Sequence, residues 1–167
     1  MTTNDVPHFS LDSFSLKDRV AVVSGGSDGI GRMIAHGYSD AGAKVVIAAR
    51  TQEKIDSVVA EIKAKGGEAL GVATDATEID SVARMRDSAL ERFGQIDILF
   101  NVVGGSQGPT FKRGRLLEME KADFIEAFNI NVGSVFVCCH EIVPHMLERG
   151  KGVVINMASI GARDYRP

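Results

Sequence analysis

Five short apolar runs alternate with segments of helical spacing, and this alternation limits the fold more than any other feature of the sequence. The runs are Arg19-Val20-Ala21-Val22-Val23, residues 44–49, residues 69–74, Ile96-Asp97-Ile98-Leu99-Phe100 and residues 153–157. Their apolar residues follow one another instead of alternating with polar ones, so each strand is covered on both faces. Between them, Ile30, Met33, Ile34, Gly37, Tyr38 and Ala41 recur at helical spacing, as do Ile55, Val58, Val59 and Ile62. A third helix carries Ile79, Val82, Ala83, Ala89, Leu90 and Phe93, and Thr77-Glu78-Ile79-Asp80 before it resembles a capping box. Gly42, Gly66-Gly67 and Gly94 stop these helices. A longer helix is expected from about Lys121 to Glu148. Residues 127–139 carry no charge, so it is expected to be buried on several sides. The pattern predicts an α/β fold, a doubly wound parallel sheet covered by helices on both faces.

The 167 residues make one domain, with 1–17 as a polar tail or irregular lead-in and 18–167 as the body. A hydrophobic content of 44% with 25% charged residues is that of a globular chain and excludes a disordered one. A net charge of −3 argues against nucleic acid as a partner, which would require a basic face. No apolar run approaches the roughly 18 residues of a membrane span, and the charge-free stretch is too short for one. The N-terminus lacks the basic start and apolar core of a signal peptide. Cys138 and Cys139 are adjacent and point apart on a helix, so they are expected to be inert, reduced thiols in a cytoplasmic protein.

Glycine is abundant, with 18 residues, and its densest cluster is Ser24-Gly25-Gly26-Ser27-Asp28-Gly29-Ile30-Gly31, between the first strand and first helix. Missing Cβ atoms let such a turn tighten and let a pyrophosphate approach its amides, while the helix N-terminus supplies N–H donors and partial positive charge. No Gly-Lys-Ser/Thr follows, so the segment is not a P-loop. A site for NAD(H) places an acidic residue at the end of the second strand to bind the ribose 2′-hydroxyl. Here that region reads Ala48-Ala49-Arg50-Thr51. Arg50 could hold a 2′-phosphate by charge-assisted hydrogen bonds, so NADP(H) is expected over NAD(H). Asp75, directly after the third strand, could accept from an adenine amino group or cap the next helix, and both readings stand. His140-Glu141-Ile142-Val143-Pro144-His145 has one residue too many for a zinc motif, so no metal is expected. Lys112, Arg113 and Arg115, in a loop over 104–118, read better as a solvated cluster than as an anion contact.

These residues together resemble the classical short-chain dehydrogenase/reductase family. The glycine cluster is similar to its T-G-x-x-x-G-x-G motif, with Ser24 in place of threonine. Asn101-Val102-Val103-Gly104 resembles N-N-A-G in its first and last residues, and Asn156-Met157-Ala158-Ser159 resembles N-x-S-S. The resemblance runs from Arg19 onward and implies a Rossmann-like sheet in the order 3-2-1-4-5, lacking the family's last strands. It implies a cofactor site made of Ser24, Gly25, Ser27, Asp28, Gly29, Ile30 and Gly31, joined by Arg50, Asp75, Ala76, Asn101 and Gly104. It places Ser159 as the active-site serine, hydrogen-bonded to the substrate oxygen, and Asn131 as a buried amide holding a water in a proton relay. The implied reaction is hydride transfer between NADP(H) and a small-molecule carbonyl or secondary alcohol, in a protein that is a homo-oligomer when complete. The family's catalytic Y-x-x-x-K lies beyond this sequence: Tyr165 comes too early and is followed by Arg166-Pro167. The 167 residues alone are therefore expected to be inactive. The alternative is a catalytically inactive NADP-binding sensor or interaction protein.

Overall fold

A computed structural model describes residues 10–105, 112 and 114–160. The apolar runs form five strands: β1 (Val20–Ser24), β2 (Lys44–Ala49), β3 (Ala69–Ala73), β4 (Ile98–Asn101) and β5 (Val153–Asn156). They pair in parallel in the order β3-β2-β1-β4-β5. The expected doubly wound architecture is thus the observed one. Ser24 stands in register with Ala48 and Asn101, and Asn101 with Asn156, so the strands end together along one carboxyl edge.

Helices α1 (Gly29–Asp40), α2 (Gln52–Ala64) and α3 (Ile79–Phe93) follow the first three strands. Strand alternation divides the core into two layers. Ala21, Val23, Val45 and Ile47 face Ala35 of α1 and Ile55, Val58 and Ile62 of α2. Val20, Val22, Val46 and Leu99 face Val82, Met85 and Ala89 of α3, together with Ile142 of the last helix.

A buried carboxylate ties the amino edge of this sheet. Asp97 Oδ2 accepts from the Val20 backbone N–H at 2.9 Å and from Gln95 Nε2 at 2.8 Å, while Oδ1 accepts from Arg149 Nη2 at 3.0 Å. Arg149 also donates to the Ile96 carbonyl at 2.9 Å. One side chain therefore joins the start of β1, the approach to β4 and the end of the last helix. A buried charge is tolerable only with this degree of partnering.

Three local expectations are corrected. The lead-in is partly docked: the Leu16 N–H donates to the Ala41 carbonyl at 2.8 Å, and Leu16 packs on the α1/α2 side of the core. The capping box before α3 does not form, because the Thr77 hydroxyl donates to Asp75 Oδ1 at 2.7 Å, and the N-cap Glu78 makes no side-chain capping bond. The helical rod Lys121–Glu148 is present but is not buried on several sides. It comprises α4 (Lys121–Phe128), a π-turn (Asn129–Gly133) and α5 (Ser134–Glu148). α4 buries no residue, and Phe124, Phe128, Val132 and Phe136 are exposed. Only one face of α5, with Val137, Cys138, Ile142 and Met146, enters the core. Lack of charge marks apolar faces, but it does not say what covers them. By length and a mean hydropathy of 1.3 the rod could cross a membrane, yet that α5 face is built into the layer over the sheet, as in any core helix.

Truncating Asp97 leaves the Val20 N–H without its acceptor and Arg149 without its carboxylate partner. Asp97→Ala is expected to destabilise the intact protein by about 3–5 kcal/mol, read as a lower urea midpoint. Arg19→Ala, removing a half-exposed partner 3.7 Å away, is expected to cost no more than about 1 kcal/mol. Equal effects would show that Asp97 carries no special share of the fold.

Candidate functional site

The chain lays down β1, β2 and β3 in one direction, then crosses to the other side of β1 to form β4. Open α/β sheets bind ligands beyond the strand ends at such a reversal. A cleft of ≈ 410 Å³ lies there. Its walls come from Gly25, Ser27, Asp28 and Gly29 after β1, from Ala49, Arg50, Thr51 and Lys54 after β2, and from Thr74, Asp75, Ala76 and Thr77 after β3. Val102, Val103 and Gly104 after β4, with Ile130, close it.

The glycines have separate tasks. Gly25 has φ +91°, a left-handed conformation that glycine adopts without strain. Gly31 is a packing residue: a Cβ there would stand 2.0 Å from the Gly25 carbonyl oxygen and 2.9 Å from Val102 Cγ1. Only a hydrogen lets α1 begin directly against the turn. Asp28 caps that helix, its Oδ1 accepting the Gly29 N–H at 2.8 Å, while Oδ2 takes Lys54 Nζ at 2.5 Å. The Lys54 ammonium, followed by the Gly29 amide, holds the Asp28 carboxyl below the usual carboxylate range. Arg50 is exposed at the cleft and forms no ion pair among the described residues. Asp75 Oδ1 accepts from the Thr77 N–H at 3.0 Å, and the Asp75 N–H donates to Ser81 Oγ at 3.0 Å, so it organises the start of α3 at the cleft wall.

Four of the residues expected at the cofactor do not line the cleft. Ser24 is 2% exposed and its Oγ accepts from the Cys138 thiol at 3.5 Å. Asn101 is 3% exposed; its Nδ2 donates to Asn156 Oδ1 at 2.9 Å and approaches Cys139 Sγ at 3.7 Å. Both lie behind the turn and support it. Ile30 is turned outward and exposed, and Gly31 is closed off by Gly25. Cys138 and Cys139 are free thiols, and burial pushes Cys138 up to about 11, so it stays protonated and unreactive near neutral pH.

Asn131 is exposed, not buried, but its amide is fully engaged. Oδ1 accepts the Gly105 N–H at 3.0 Å, and Nδ2 donates to the Gly105 carbonyl at 2.9 Å and the Ala127 carbonyl at 2.8 Å. Ala127 is four residues back, the acceptor an α-helix would give to Asn131's own N–H. Ser134 Oγ likewise takes the Ile130 carbonyl at 2.6 Å, and the Ser134 N–H moves on to Asn129. Two side chains thus claim helical acceptors, and the backbone widens into the π-turn, a feature common at functional sites. The result clasps the segment after β4 to the helix. Ser159 stands exposed at the carboxyl edge, three positions past Asn156. Tyr165 and Arg113 lie outside the described residues. No group of His, Cys, Asp or Glu able to hold a metal occurs among the described residues.

Lys54 carries no motif in the sequence. It lies four positions after Arg50 in the first turn of α2, and that spacing was its only signal. Its pairing with Asp28, 26 residues away, is a product of the fold.

Known proteins match this arrangement. The family model for short chain dehydrogenase matches residues 19–167. An uncharacterized oxidoreductase of Mycobacterium tuberculosis is 40% identical over 154 residues, covering 92% of this chain and 57% of that protein. The 7alpha-hydroxysteroid dehydrogenase of Escherichia coli is 33% identical, covering 93% of this chain and 59% of that protein. A short-chain type dehydrogenase/reductase from Mycobacterium marinum superposes with a TM-score of 0.88 at 32% identity, over 95% of this chain and 63% of that one. A 7 alpha-hydroxysteroid dehydrogenase complexed with NADH and 7-oxo glycochenodeoxycholic acid gives 0.86 at 32% identity, with coverages of 95% and 60%. The chain therefore spans roughly three-fifths of the length of these relatives, and with its glycine turn, switch-point cleft and strand order it belongs to the short-chain dehydrogenase family.

Proposed function

We propose that this chain is the cofactor-binding part of an oxidoreductase that moves a hydride between NADP(H) and a carbonyl or secondary alcohol. The observation that carries the cofactor choice is Arg50: a cation without an acidic partner among the described residues, just past the end of β2, on the cleft wall where the NAD-selecting carboxylate would stand. One structural relative holds NADH, so family membership alone leaves the choice to such residues.

The residues present fit a dinucleotide. Gly25 and Gly31 keep the turn bare, and the first turn of α1 offers amides of which Asp28 takes only the first. Arg50 would meet a 2′-phosphate, Asp75 and Ala76 line the wall for the adenine, and Val102, Val103 and Gly104 close the other side. The nicotinamide supplies or accepts the hydride when bound. Asn131 holds Gly105 in place and so fixes the wall after β4. Ser159 Oγ would hydrogen-bond the substrate oxygen and steady its developing charge. Neither residue delivers a proton at neutral pH, so the 167 residues alone bind cofactor without turnover, and the acid–base group comes from the rest of the protein. Both thiols being free suits a reducing cytoplasm.

In the intact protein, Arg50→Asp is expected to reverse a preference of about 10- to 100-fold for NADPH over NADH, the worth of a charged hydrogen bond of about 1.5–3 kcal/mol. Fluorescence titration of both cofactors measures it, and equal affinities in the unaltered protein would overturn the assignment. Ser159→Ala is expected to lower kcat for ketone reduction by about 10²–10³ with cofactor affinity unchanged. Undiminished NADPH oxidation would remove Ser159 from the site, and no oxidation by the intact protein across a panel of ketones and aldehydes would favour a binding protein without turnover.

The exposed Phe124, Phe128 and Phe136 on the rod call for a cover, which the same reading assigns to the remaining segment and a second copy of the chain. Phe128→Glu with Phe136→Glu is expected to lower the oligomeric state in analytical ultracentrifugation. Unchanged sedimentation would rule out that face as the interface.

A further inference from the structure

Asp28 and Lys54 meet across the mouth of the cleft, and their pairing is unusual for a site built to receive phosphate. Asp28 puts a carboxylate at the N-terminus of α1, where the helix dipole favours an incoming anion. Lys54 rises from the first turn of α2 beside Thr51 and Arg50, all three on the cleft wall. The two side chains are 72% and 55% exposed, and ion pairs so exposed contribute little to stability. The fold does not require this one. Of the two cations facing the cleft, Arg50 is without an acidic partner among the described residues and Lys54 is neutralised.

We infer that Asp28 is a specificity-determining residue that holds Lys54 in reserve, so that a cofactor 2′-phosphate must compete with a carboxylate for it. The inference rests on the dinucleotide reading of the cleft. A phosphate arriving beside Arg50 draws Lys54 away from Asp28, whose other oxygen keeps the Gly29 amide. A 2′-hydroxyl carries no charge, so it leaves the pair intact. Binding of NADP(H) therefore includes the rupture of an ion pair, and binding of NAD(H) does not. Removing the carboxylate releases Lys54 for the 2′-phosphate, whereas the repulsion it lifts from the diphosphate is common to both cofactors and leaves their ratio unchanged.

The test is a double-mutant cycle in the intact protein, with NADPH and NADH dissociation constants measured by fluorescence titration at low and high salt. Asp28→Asn keeps a good N-cap, so α1 is retained. It is expected to tighten NADPH about three- to tenfold while NADH changes less than about twofold, with the gain shrinking at high salt. Lys54→Met is expected to weaken NADPH and to abolish the gain in the NADPH/NADH ratio when combined with Asp28→Asn. An unchanged ratio in Asp28→Asn, or a gain in it that survives without Lys54, overturns the inference. Arg50→Asp separates the two readings. If it shifts the ratio and Asp28→Asn does not, the cofactor assignment stands and the charge clamp falls. If Asp28→Asn shifts it and Arg50→Asp does not, the clamp stands and Lys54 is the discriminating cation.

Discussion

The contact between Gly31 and the Gly25 carbonyl is the constraint on which the cleft depends. With only a hydrogen on Gly31, α1 starts directly against the turn that leaves β1; a Cβ would sit 2.0 Å from that oxygen. Val102 closes on the same point from the end of β4 with its Cγ1, so the two glycines leave room for that one side chain where three elements converge. This brings the helix N-terminus, with its unsatisfied amides, to the carboxyl edge of the sheet. Ser24 and Asn101 brace it from behind through Cys138, Cys139 and Asn156. The Cys138 thiol donates to Ser24 and the Cys139 sulfur accepts from Asn101, and burial pushes both thiols up, Cys138 the more deeply buried.

A seam between α1 and α2 sets the charge that faces the ligand. Asp28, Arg32 and His36 succeed one another by fours along α1, opposite Lys54 and Glu61 on α2. Arg32 grips Glu61 Oε2 through Nη2 at 2.8 Å, and His36 Nε2 meets the same oxygen at 2.9 Å. Arg32 first, then Ser57 and His36, hold the Glu61 carboxyl down to about 2. It therefore stays ionised at any pH where the protein works and keeps Arg32 turned down the seam. The polarity of the seam reverses one turn higher, where Asp28 is the anion and Lys54 the cation. That leaves Arg50 and Lys54 as the cations on the cleft wall, with Asp28 as the counter-charge.

The strands and the glycine turn were legible in the sequence because burial on both faces and a missing Cβ leave direct marks on residue choice. The orientation of Ser24 was legible as well: Val20, Val22 and Ser24 share a face by strand alternation, and that face meets α5, not the cleft. The family resemblance assigns Ser24 to the cofactor site, whereas in the structure its hydroxyl meets Cys138 behind the turn. Lys54 was not legible, since its role arises from a contact between two helices. The covering of the long rod was not legible either. Residues 127–139 carry no charge, and the same composition serves a buried face or an exposed one.

The π-turn explains why one helical rod has two such different halves. It inserts an extra residue into the helical repeat, rotating α4 by about 100° relative to α5. α5 lays Ser134, Val137, Cys138, Ile142 and Met146 on the sheet, whereas α4, across the turn, buries nothing. The side chains that open the turn also tie it to the cleft: Ser134 takes the Ile130 carbonyl, and Asn131 grips both backbone groups of Gly105. Gly104 must lack a Cβ for this, because one would stand 2.7 Å from Asn131 Oδ1. The bend that frees α4 from the sheet is thus the same device that fixes the wall after β4. A rod that simply continued α5 would lose the clasp, and Val103 and Gly104 would have no fixed place beside the glycine turn.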